Sequence, residues 1–533
     1  MSDFPLILPA MHKLLALLLL TASCAAGAAD TFVFSAEPGL YPVGVHIKAQ
    51  YDYSRVYLPA VNMLTGQPET HERARPIQSV TWYPAKAKGK PLSFRDYIAT
   101  KATDDAFHLA PAEVQRLTDM DLAGNTAGRP PDIARQVAAQ PMWGSTDAPA
   151  AGGKFPVVIY APSLSAYAVE NVDLCEYLAS QGYIVIASRS MGARTKSMTS
   201  DLEGLEAQAA DIAFLIGQAH TMPQADTSRI AVVGFSWGGL SNVLAAAKDD
   251  RIRALVSLDG SVRSYPEFVD GGKDAARYAT PARLAVPMLY VGRERDAIET
   301  LVKKKTKMDY SLLNQMTYAD MTIVTMRPMT HPDFAAVVQH YAGEQHFGEY
   351  TRDEVATAYS WTARYVGRFL DAYLKNDAKA MAFLDNKPSA NKAPAHMLSV
   401  ERRKGSGTPP TLEAFVGALQ TGGYEHAQAV YEKLHAASPA FTLDPVWLNM
   451  YGEQLLRSGR PKESVAILRL GTRLEPAWGD LADTLAEAYE AAGERQLAID
   501  EYRRALKIDP ALGHAIERLK MLEAAVPAKA AGG

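Results

Sequence analysis

The sequence predicts an α/β fold, a doubly wound and mostly parallel sheet, followed by an all-α helical repeat domain. Up to about residue 385, short apolar runs rich in β-branched residues alternate with helical patterns. Such alternation is typical of a parallel sheet with helices on both faces. Beyond residue 410, helical patterns recur with a period of 34 residues, which is typical of stacked helix pairs. The length of 533 residues exceeds what one ordinary core accommodates, so two domains are expected.

The chain begins with the pattern of a secretory signal peptide. Lys13 precedes an apolar run, and small residues follow it, in the order typical of cleaved export signals. We predict a signal peptide over residues 1–29, with residues 1–10 as an upstream extension, and a mature protein that is periplasmic or secreted. Cys24 is an alternative site of lipid anchoring, although the preceding sequence LTAS fits that signal poorly. The apolar run is too short to cross a bilayer, and no membrane span is predicted after it.

Eight segments before residue 385 have the composition of β-strands. Six of them are nearly continuous in apolar and β-branched residues, as strands covered on both faces require. Residues 93–150 are predicted to be a partly helical insertion. The predicted strands are 43–53, 79–85, 155–163, 183–190, 229–235, 252–259, 287–292 and 321–328. The predicted helices between and after them are 169–181, 201–219, 238–248 and 354–374.

A change in composition separates the two predicted domains. Residues 386–410 are rich in proline, glycine, serine and charge, which is typical of a linker. The α/β domain is therefore predicted over 30–385 and the helical repeats over 411–525. Small residues recur 34 positions apart in the repeats, as Gly459 and Gly493 do. This period resembles the tetratricopeptide repeat, which implies a surface for a protein or peptide partner.

A serine lies between glycines where a predicted strand meets a predicted helix, in the sequence RIAVVGFSWGGLSNVLAAA. The flanking residues Gly234 and Gly238 leave room for a very tight turn, and Ser236 lies at its tip. The start of the following helix favours developing negative charge. A strand, Gly-x-Ser-x-Gly and a helix in this order predict a nucleophile elbow.

A serine hydroxyl is a weak nucleophile without a base, and the base needs an orienting acid. After a nucleophile elbow the chain order is serine, acid, histidine. His331 follows the last predicted strand and is the leading candidate for the base, ahead of His340 and His346 further along the chain. For the acid, Asp259 ends the strand after the elbow helix and Asp296 follows the next strand. The residues alone leave both open.

The segment from about 155 to 340 resembles an α/β-hydrolase of the dienelactone-hydrolase-like group, and in detail the platelet-activating-factor acetylhydrolase-like enzymes. In that family the strand after the elbow ends in Asp-Gly or Asp-Ala, which SLDG matches at Asp259, and the histidine lies in an H-x-x-F sequence, which His331 matches. The resemblance therefore implies a Ser-His-Asp triad with Asp259, rather than Asp296, as the acid. True dienelactone hydrolases use a cysteine nucleophile, so Ser236 does not imply their lactone substrate.

Two backbone amides are predicted to form an oxyanion hole. One is the amide of Trp237, the residue after the nucleophile, and the other comes from the loop after the strand VVIYA. Family members usually have His-Gly-Leu-Gly in that loop, where this chain has Pro-Ser-Leu-Ser and retains only the leucine. The resemblance therefore implies the amide of Leu164 as the second donor.

Together these features predict an exported serine hydrolase that cleaves small-molecule carboxylic esters through an acyl-enzyme, with no cofactor and no metal. The net charge of −4 gives no basic footprint for nucleic acid, and two cysteines argue against a disulfide framework or a cysteine-based zinc site. The alternatives are a serine peptidase of the prolyl-oligopeptidase type, or a catalytically inactive scaffold that binds partners through its helical repeats.

Overall fold

The computed structural model describes residues 31–269, 279–294 and 311–524. It divides into two compact units, of which the first ends at Ser406 and the second begins at Gly407. The predicted signal peptide, residues 1–29 with Cys24, lies outside the described residues. Within the described ranges, no helix has both the length and the apolar character that crossing a bilayer demands.

The first unit is built on one sheet, which has eleven strands in the described residues. The strands are β1 (Val43–Val56), β2 (Ala74–Pro84), β3 (Lys90–Ser93), β4 (Pro141–Thr146), β5 (Phe155–Ala161), β6 (Ile184–Ser188), β7 (Ala225–Phe235), β8 (Ile252–Leu258), β9 (Met288–Arg293), β10 (Met321–Met326) and β11 (Leu398–Arg403). Their order across the sheet is β11-β10-β9-β8-β7-β5-β6-β2-β1-β4-β3. The six strands from β10 to β6 are mutually parallel, and β1 also runs parallel to β4. Each of the eight predicted strands overlaps an observed one.

Helices of the first unit connect the strands and cover the sheet. They are α1 (Phe94–Ala99), α2 (Pro111–Asn125), α3 (Pro131–Ala139), α4 (Val172–Ser180), α5 (Leu202–Ala219), α6 (Gly238–Lys248), α7 (Ser311–Gln315), α8 (Ala336–Tyr341), α9 (Arg352–Leu374) and α10 (Ala378–Asp385). Short 3₁₀ turns include one at His331–Phe334. Asp201 immediately precedes α5, and its side chain accepts a hydrogen bond from the Gly204 amide and so caps the helix.

Two apolar cores lie on opposite faces of the sheet. Successive side chains of a strand point to opposite faces, and in β5 Val158 packs in one core while Val157 packs in the other. The first core includes apolar residues of α4 and α9, and the second includes those of α5 and α6. All seven residues of β5 are buried, because helices cover the sheet on both sides. This arrangement confirms the predicted doubly wound α/β class.

The two edges of the sheet differ from the sequence-based prediction. Residues 398–403, assigned by composition to the linker 386–410, form β11 and pair antiparallel with β10. The strand is at the edge and buries only Leu398 fully, so its sequence LSVERR is too polar to read as a strand. At the other edge, β3 and β4 lie in and beside the segment 93–150 that was predicted as an insertion, and they extend the sheet next to β1.

The second unit is all-helical in its described residues. Its helices are α11 (Leu412–Gly422), α12 (Ala427–Ala437), α13 (Pro445–Arg457), α14 (Pro461–Leu474), α15 (Gly479–Ala491), α16 (Arg495–Ile508) and α17 (Gly513–Ala524). The starts of α13, α15 and α17 are 34 residues apart, as are those of α14 and α16. Small residues allow close packing: a Cβ on Gly452 would collide with the Leu468 side chain of the next helix. The helical character of this region is as predicted.

Candidate active site

The turn between β7 and α6 holds Ser236 in a strained conformation. Its φ of 53° lies in the left-handed region, which side-chain-bearing residues rarely adopt. Three backbone hydrogen bonds fix the turn: the Ser236 amide donates to the Leu258 carbonyl at 3.0 Å, and the Ser236 carbonyl accepts from the amides of Ser261 and Gly239 at 2.8 and 3.1 Å. Strain held in this way is common where a side chain must be presented for chemistry.

Glycines make this turn sterically feasible. A Cβ on Gly234 would overlap the carbonyl of Gly238, and a Cβ on Gly238 would overlap the carbonyl oxygen of Ala161 and lie 2.7 Å from that of Pro162. The first turn of α6 therefore packs directly on the end of β5. Both positions require glycine, as the sequence pattern predicts.

The structure brings His331 next to Ser236. The imidazole Nε2 lies 2.9 Å from Ser236 Oγ, within hydrogen-bond distance. His331 begins the 3₁₀ turn after β10, and Asp333 stabilises this turn by accepting hydrogen bonds from the Thr330 amide and hydroxyl, each at 2.6 Å. The imidazole ring packs against Phe235, with ring centroids 5.0 Å apart. The two candidates are separated by 95 residues in sequence and meet because β7 and β10 end at the same edge of the sheet.

Asp259 lies on the other side of the imidazole. Its Oδ2 is 2.5 Å from His331 Nδ1, so the carboxylate can accept a hydrogen bond from this nitrogen and leave Nε2 free to accept one from the serine. Asp259 follows β8, has a φ of 40°, and is 4% exposed, whereas the His331 side chain is 40% exposed. The Asp259 amide donates to the Val291 carbonyl at 2.6 Å, which ties the Asp259 backbone to β9. Asp296, the alternative acid, lies outside the described residues.

Arg293 is a residue of this site that the sequence did not indicate. Its guanidinium contacts Asp259 Oδ2, its backbone amide lies 3.2 Å from Asp259 Oδ1, and its Nη1 lies 3.0 Å from His331 Nδ1. In the sequence RERD it looks like an exposed surface charge, but its side chain is only 14% exposed. The signal that could have found it is strand register, because Leu258 of β8 pairs with Val291 of β9 and so brings the residues beyond them together.

The two predicted oxyanion amides belong to segments that meet at the end of β5. Ala161 pairs with Gly234 of β7, so the loop that contains Leu164 begins level with the serine turn. Among the residues that the structure describes, neither the Leu164 amide nor the Trp237 amide has a hydrogen-bond acceptor. Ser165, next to Leu164, has a φ of 60°, and its Oγ accepts a hydrogen bond from the Met198 amide at 2.8 Å.

The two other candidate histidines have different partners. His340 is completely buried, contacts Asp173 Oδ2 at 2.9 Å, and stacks on Phe94. His346 Nε2 contacts Asp333 Oδ1 at 2.6 Å and so supports the turn that begins with His331. In the part of the chain that is described, no three histidine, cysteine or carboxylate side chains are grouped so that they could hold a metal ion.

Several known proteins are similar to part of this chain. Two are named "Putative carboxymethylenebutenolidase": that of Methylorubrum extorquens is 28% identical over 185 residues, and that of Yersinia pestis is 32% identical over 120. A bis(hydroxyethyl) terephthalate hydrolase of Streptomyces coelicolor is 28% identical over 148 residues. These alignments cover 32%, 21% and 27% of this chain. The chain spans only 61%, 45% and 41% of the respective relatives.

A solved structure, a ferulic acid esterase from Streptomyces cinnamoneus, aligns with 70% of this chain and 99% of its own, at 20% identity and a TM-score of 0.47. In sequence, residues 144–306 match the model of the dienelactone hydrolase family. The matched segment contains Ser236 and Asp259 and ends before His331. The central part of the α/β unit is therefore similar to the dienelactone hydrolase family.

Proposed function

We propose that this protein is a serine hydrolase that cleaves carboxylic esters through a Ser236–His331–Asp259 triad. The observation that carries the proposal is the continuous chain of contacts from Ser236 Oγ to His331 Nε2 at 2.9 Å and from His331 Nδ1 to Asp259 at 2.5 Å. Similarity of residues 144–306 to a family of ester-cleaving enzymes supports it. The further likeness to platelet-activating-factor acetylhydrolases stays a prediction.

The proposed reaction has two halves. His331 Nε2 takes the hydroxyl proton as Ser236 Oγ bonds to the ester carbonyl carbon, and the carbonyl electron pair moves onto oxygen. His331 then gives this proton to the alcohol oxygen as the carbon–oxygen bond breaks, which leaves an acyl group on Ser236. A water molecule repeats the sequence, releases the acid and restores the serine. Asp259 holds the imidazole in the required tautomer throughout.

The negative oxygen that forms in each half needs hydrogen-bond donors. We propose the amides of Leu164 and Trp237, since neither is used within the described residues and since the helix α6 begins beside Ser236. Removing one such donor typically costs about 2.7–4 kcal/mol of barrier. The steps use the protein's own groups and no cofactor.

The direct test is hydrolysis of p-nitrophenyl esters by Ser236→Ala. We expect turnover to fall by about 10⁴-fold or more, because the nucleophile is lost. Ser360→Ala is the control, since Ser360 is a buried serine outside the turn, and its hydroxyl donates to the Ala356 carbonyl within α9. Full activity in Ser236→Ala with a normal fold would refute the proposal.

The same assay separates the two candidate acids. Asp259→Asn is expected to lower kcat by about 10³- to 10⁴-fold, because an amide favours the wrong imidazole tautomer. Asp296→Asn is expected to retain activity. The reverse result would assign the role of the acid to Asp296.

A series of p-nitrophenyl esters of increasing chain length would define the acyl specificity.

The alternatives predict different outcomes. A fluorophosphonate probe labels an active serine hydrolase at Ser236, whereas an inactive scaffold stays unlabelled. A prolyl-oligopeptidase-type enzyme would cleave proline-containing peptides in preference to esters.

We also infer that the C-terminal helices are tetratricopeptide-like and bind a protein or peptide partner, on the 34-residue spacing of α13, α15 and α17.

Export is a further part of the proposal and rests on the sequence of residues 1–29 alone. The N-terminal sequence of the protein recovered from the periplasm or medium of an expressing bacterium tests it. Recovery from the cytoplasm with the leader intact would contradict export.

A further inference from the structure

We propose that Glu170 is a positioning residue that holds the loop carrying Leu164 and the loop following His331 in a fixed mutual arrangement. The inference rests on the proposed function, because it assigns Glu170 a role in the oxyanion hole of that same site. It concerns a buried carboxylate that the sequence did not indicate and that does not touch the reacting atoms.

The first observation is a clamp on the residue before Leu164. Glu170 Oε2 accepts a hydrogen bond from the Ser163 amide at 2.9 Å, and Glu170 Oε1 accepts one from the Ser163 hydroxyl. Ser165, on the other side of Leu164, is tied through its Oγ to the Met198 amide. The Leu164 peptide is therefore fixed at both ends, and its own amide keeps no partner among the described residues.

The second observation is the burial of the clamp. Glu170 is 6% exposed, and a carboxylate that far from water is costly unless donors surround it. Besides the two groups of Ser163, the Tyr160 hydroxyl donates to Oε2 at 2.9 Å. Burial raises the pKa of Glu170 above its ordinary value, and the hydrogen bonds from Ser163 and Tyr160 act in the opposite direction. An apolar side chain would fill this space with a lower cost in desolvation free energy. The hydrogen bonds of Glu170 therefore indicate that it positions the loop.

The third observation links the same segment to the histidine. The Glu170 carbonyl accepts a hydrogen bond from the Val337 amide at 3.1 Å. The next residue, Asn171, is completely buried and accepts from the Ala336 amide at 2.9 Å. Val337 and Ala336 lie just after the 3₁₀ turn that begins with His331. One dipeptide therefore fixes both the proposed oxyanion loop and the chain that follows the proposed base.

The side chain of Gln208 connects the loop that carries Leu164 to the serine turn. Gln208 of α5 donates to the Pro162 carbonyl at 2.8 Å and accepts from the Ser241 hydroxyl of α6 at 2.6 Å. The two sides of the oxyanion hole, Leu164 and Trp237, are thus coupled by a side chain between them. Loosening Glu170 would free one side while the other stays fixed. Misplacing a catalytic group by about 1 Å can cost on the order of 100-fold in rate.

The test compares substitutions of Glu170 with those of a second buried glutamate. We expect Glu170→Met to lower kcat by about 10- to 100-fold with KM within about threefold, because the Leu164 amide loses its orientation. Glu170→Gln should restore kcat to within about fivefold of the wild type, since its amide oxygen still accepts from Ser163.

Glu176 is the matched control. It is 1% exposed and also has three donors, namely the hydroxyl of Tyr97 and the amides of Trp143 and Gly144, but these lie at β4 and α1, away from the oxyanion loop. Glu176→Met should leave kcat per folded molecule within about threefold of the wild type, whatever it does to stability. Equal kcat values in the Glu170→Met and Glu176→Met variants would overturn the inference.

Two further measurements keep the inference testable if Glu170→Met does not fold. Glu170→Asp retains the charge but is one methylene too short to reach Ser163 and Tyr160 together, so kcat should fall at least about fivefold, and an unchanged kcat would overturn the inference. Amide hydrogen exchange over residues 160–168 should increase in Glu170→Asp but not in Glu170→Gln, and this readout does not depend on turnover.

Wild-type protein that neither cleaves esters nor accepts the fluorophosphonate refutes the proposed function and the inference with it. An active wild type with an insensitive Glu170 refutes the inference alone.

Discussion

Arg293 places a positive charge beside both the carboxylate and the imidazole of the site. Its guanidinium contacts Asp259 Oδ2 and lies 3.0 Å from His331 Nδ1. A cation this close disfavours a second positive charge on the imidazole. Asp259 opposes this effect, since its carboxyl group contacts the same imidazole. The pH at which the proposed base becomes protonated therefore depends on the balance of these charges.

Replacing Arg293 should shift the pH dependence in a defined direction. In Arg293→Met the cation is absent, so the imidazolium form of His331 is favoured and the acid-side midpoint of the kcat/KM profile should move to higher pH. Arg327→Met is the control, because Arg327 follows β10 but contacts Glu294 instead of the triad. A midpoint that stays in place or moves to lower pH in Arg293→Met would contradict this reading.

Glu176 makes the stability of the first unit sensitive to pH. Burial raises the pKa of this carboxyl from 4.5 to about 8, while hydrogen bonds from Tyr97 and the Trp143 amide act in the opposite direction. Between these two values the folded state holds a proton that the unfolded state has released. The free energy of unfolding should therefore fall as pH rises through this window, by at most about 1.4 kcal/mol per pH unit.

The contribution of Glu176 to the pH dependence of the free energy of unfolding can be isolated with Glu176→Gln, which carries no titrating proton at this position. Urea denaturation at several pH values between about 5 and 8 should show the variant gaining stability relative to the wild type as pH rises. Outside this window the difference between the two proteins should be constant. A difference independent of pH throughout would mean that Glu176 titrates alike in both states.

At the scale of elements, the serine turn depends on how closely α6 packs on the end of β5. A Cβ on Gly238 would overlap the Ala161 carbonyl oxygen. This oxygen belongs to the backbone of β5, which the sheet holds in place. Relief would require α6 to move away from β5. Ser236 and the Trp237 amide would then move as well, since both lie in the turn that leads into α6.

Gly238→Ala is therefore expected to lower both stability and activity. The strain should cost about 1–3 kcal/mol of unfolding free energy, and kcat should fall on the order of 100-fold because the turn shifts. Gly217 in α5 is the matched control, since a Cβ there meets no atom within 4 Å. Gly217→Ala should raise stability by about 0.5–1 kcal/mol, the usual gain for alanine over glycine in a helix. Thermal denaturation and ester hydrolysis measure both effects, and a fully active Gly238→Ala would refute the close-packing argument.

Local sequence predicted the elements whose environment is uniform along their length. Strands such as β5 and β8 are buried on both faces, so their composition alone identifies them. The serine turn was also predictable, because its Gly-x-Ser-x-Gly pattern is contiguous from Gly234 to Gly238, although the Ala161 carbonyl that excludes a Cβ at Gly238 belongs to β5. Edge strands are different: β11 has one exposed face and three charged residues, Glu401 to Arg403, so its assignment depends on a partner, β10, that local composition does not reveal.

The environment of the candidate site was harder to predict than its residues. Whether Asp259 or Asp296 faces His331 depends on where separate strands end, and the contact of Arg293 with Asp259 depends on the register between β8 and β9. Glu170 lies only seven residues from Ser163, yet nothing in the local sequence indicates that its side chain turns back under the loop. Such contacts follow from tertiary packing, which residue type and spacing do not specify.

At the scale of the whole molecule, the boundary between the two units differs from the one composition suggests. The first unit ends at Ser406, after β11, and not at residue 385. β11 pairs with β10 along its full length from Leu398 to Arg403, and just beyond it the Gly405 amide donates to Asp320 Oδ1 at 2.8 Å. Because His331 lies only five residues after the end of β10 at Met326, the support that β11 gives to β10 extends to the candidate site.

Two truncations distinguish these boundaries. A chain that ends at Ser406 keeps the complete sheet, so it should fold on its own and hydrolyse esters within about twofold of the full-length protein. A chain that ends at Asp385 leaves the edge of β10 unpaired, and an unpaired apolar edge promotes association with other chains. This shorter chain should aggregate or lose activity, as measured by size-exclusion chromatography and ester hydrolysis. If it were as soluble and active as the longer one, β11 would be dispensable and residues 386–406 would behave as the linker that their composition indicates.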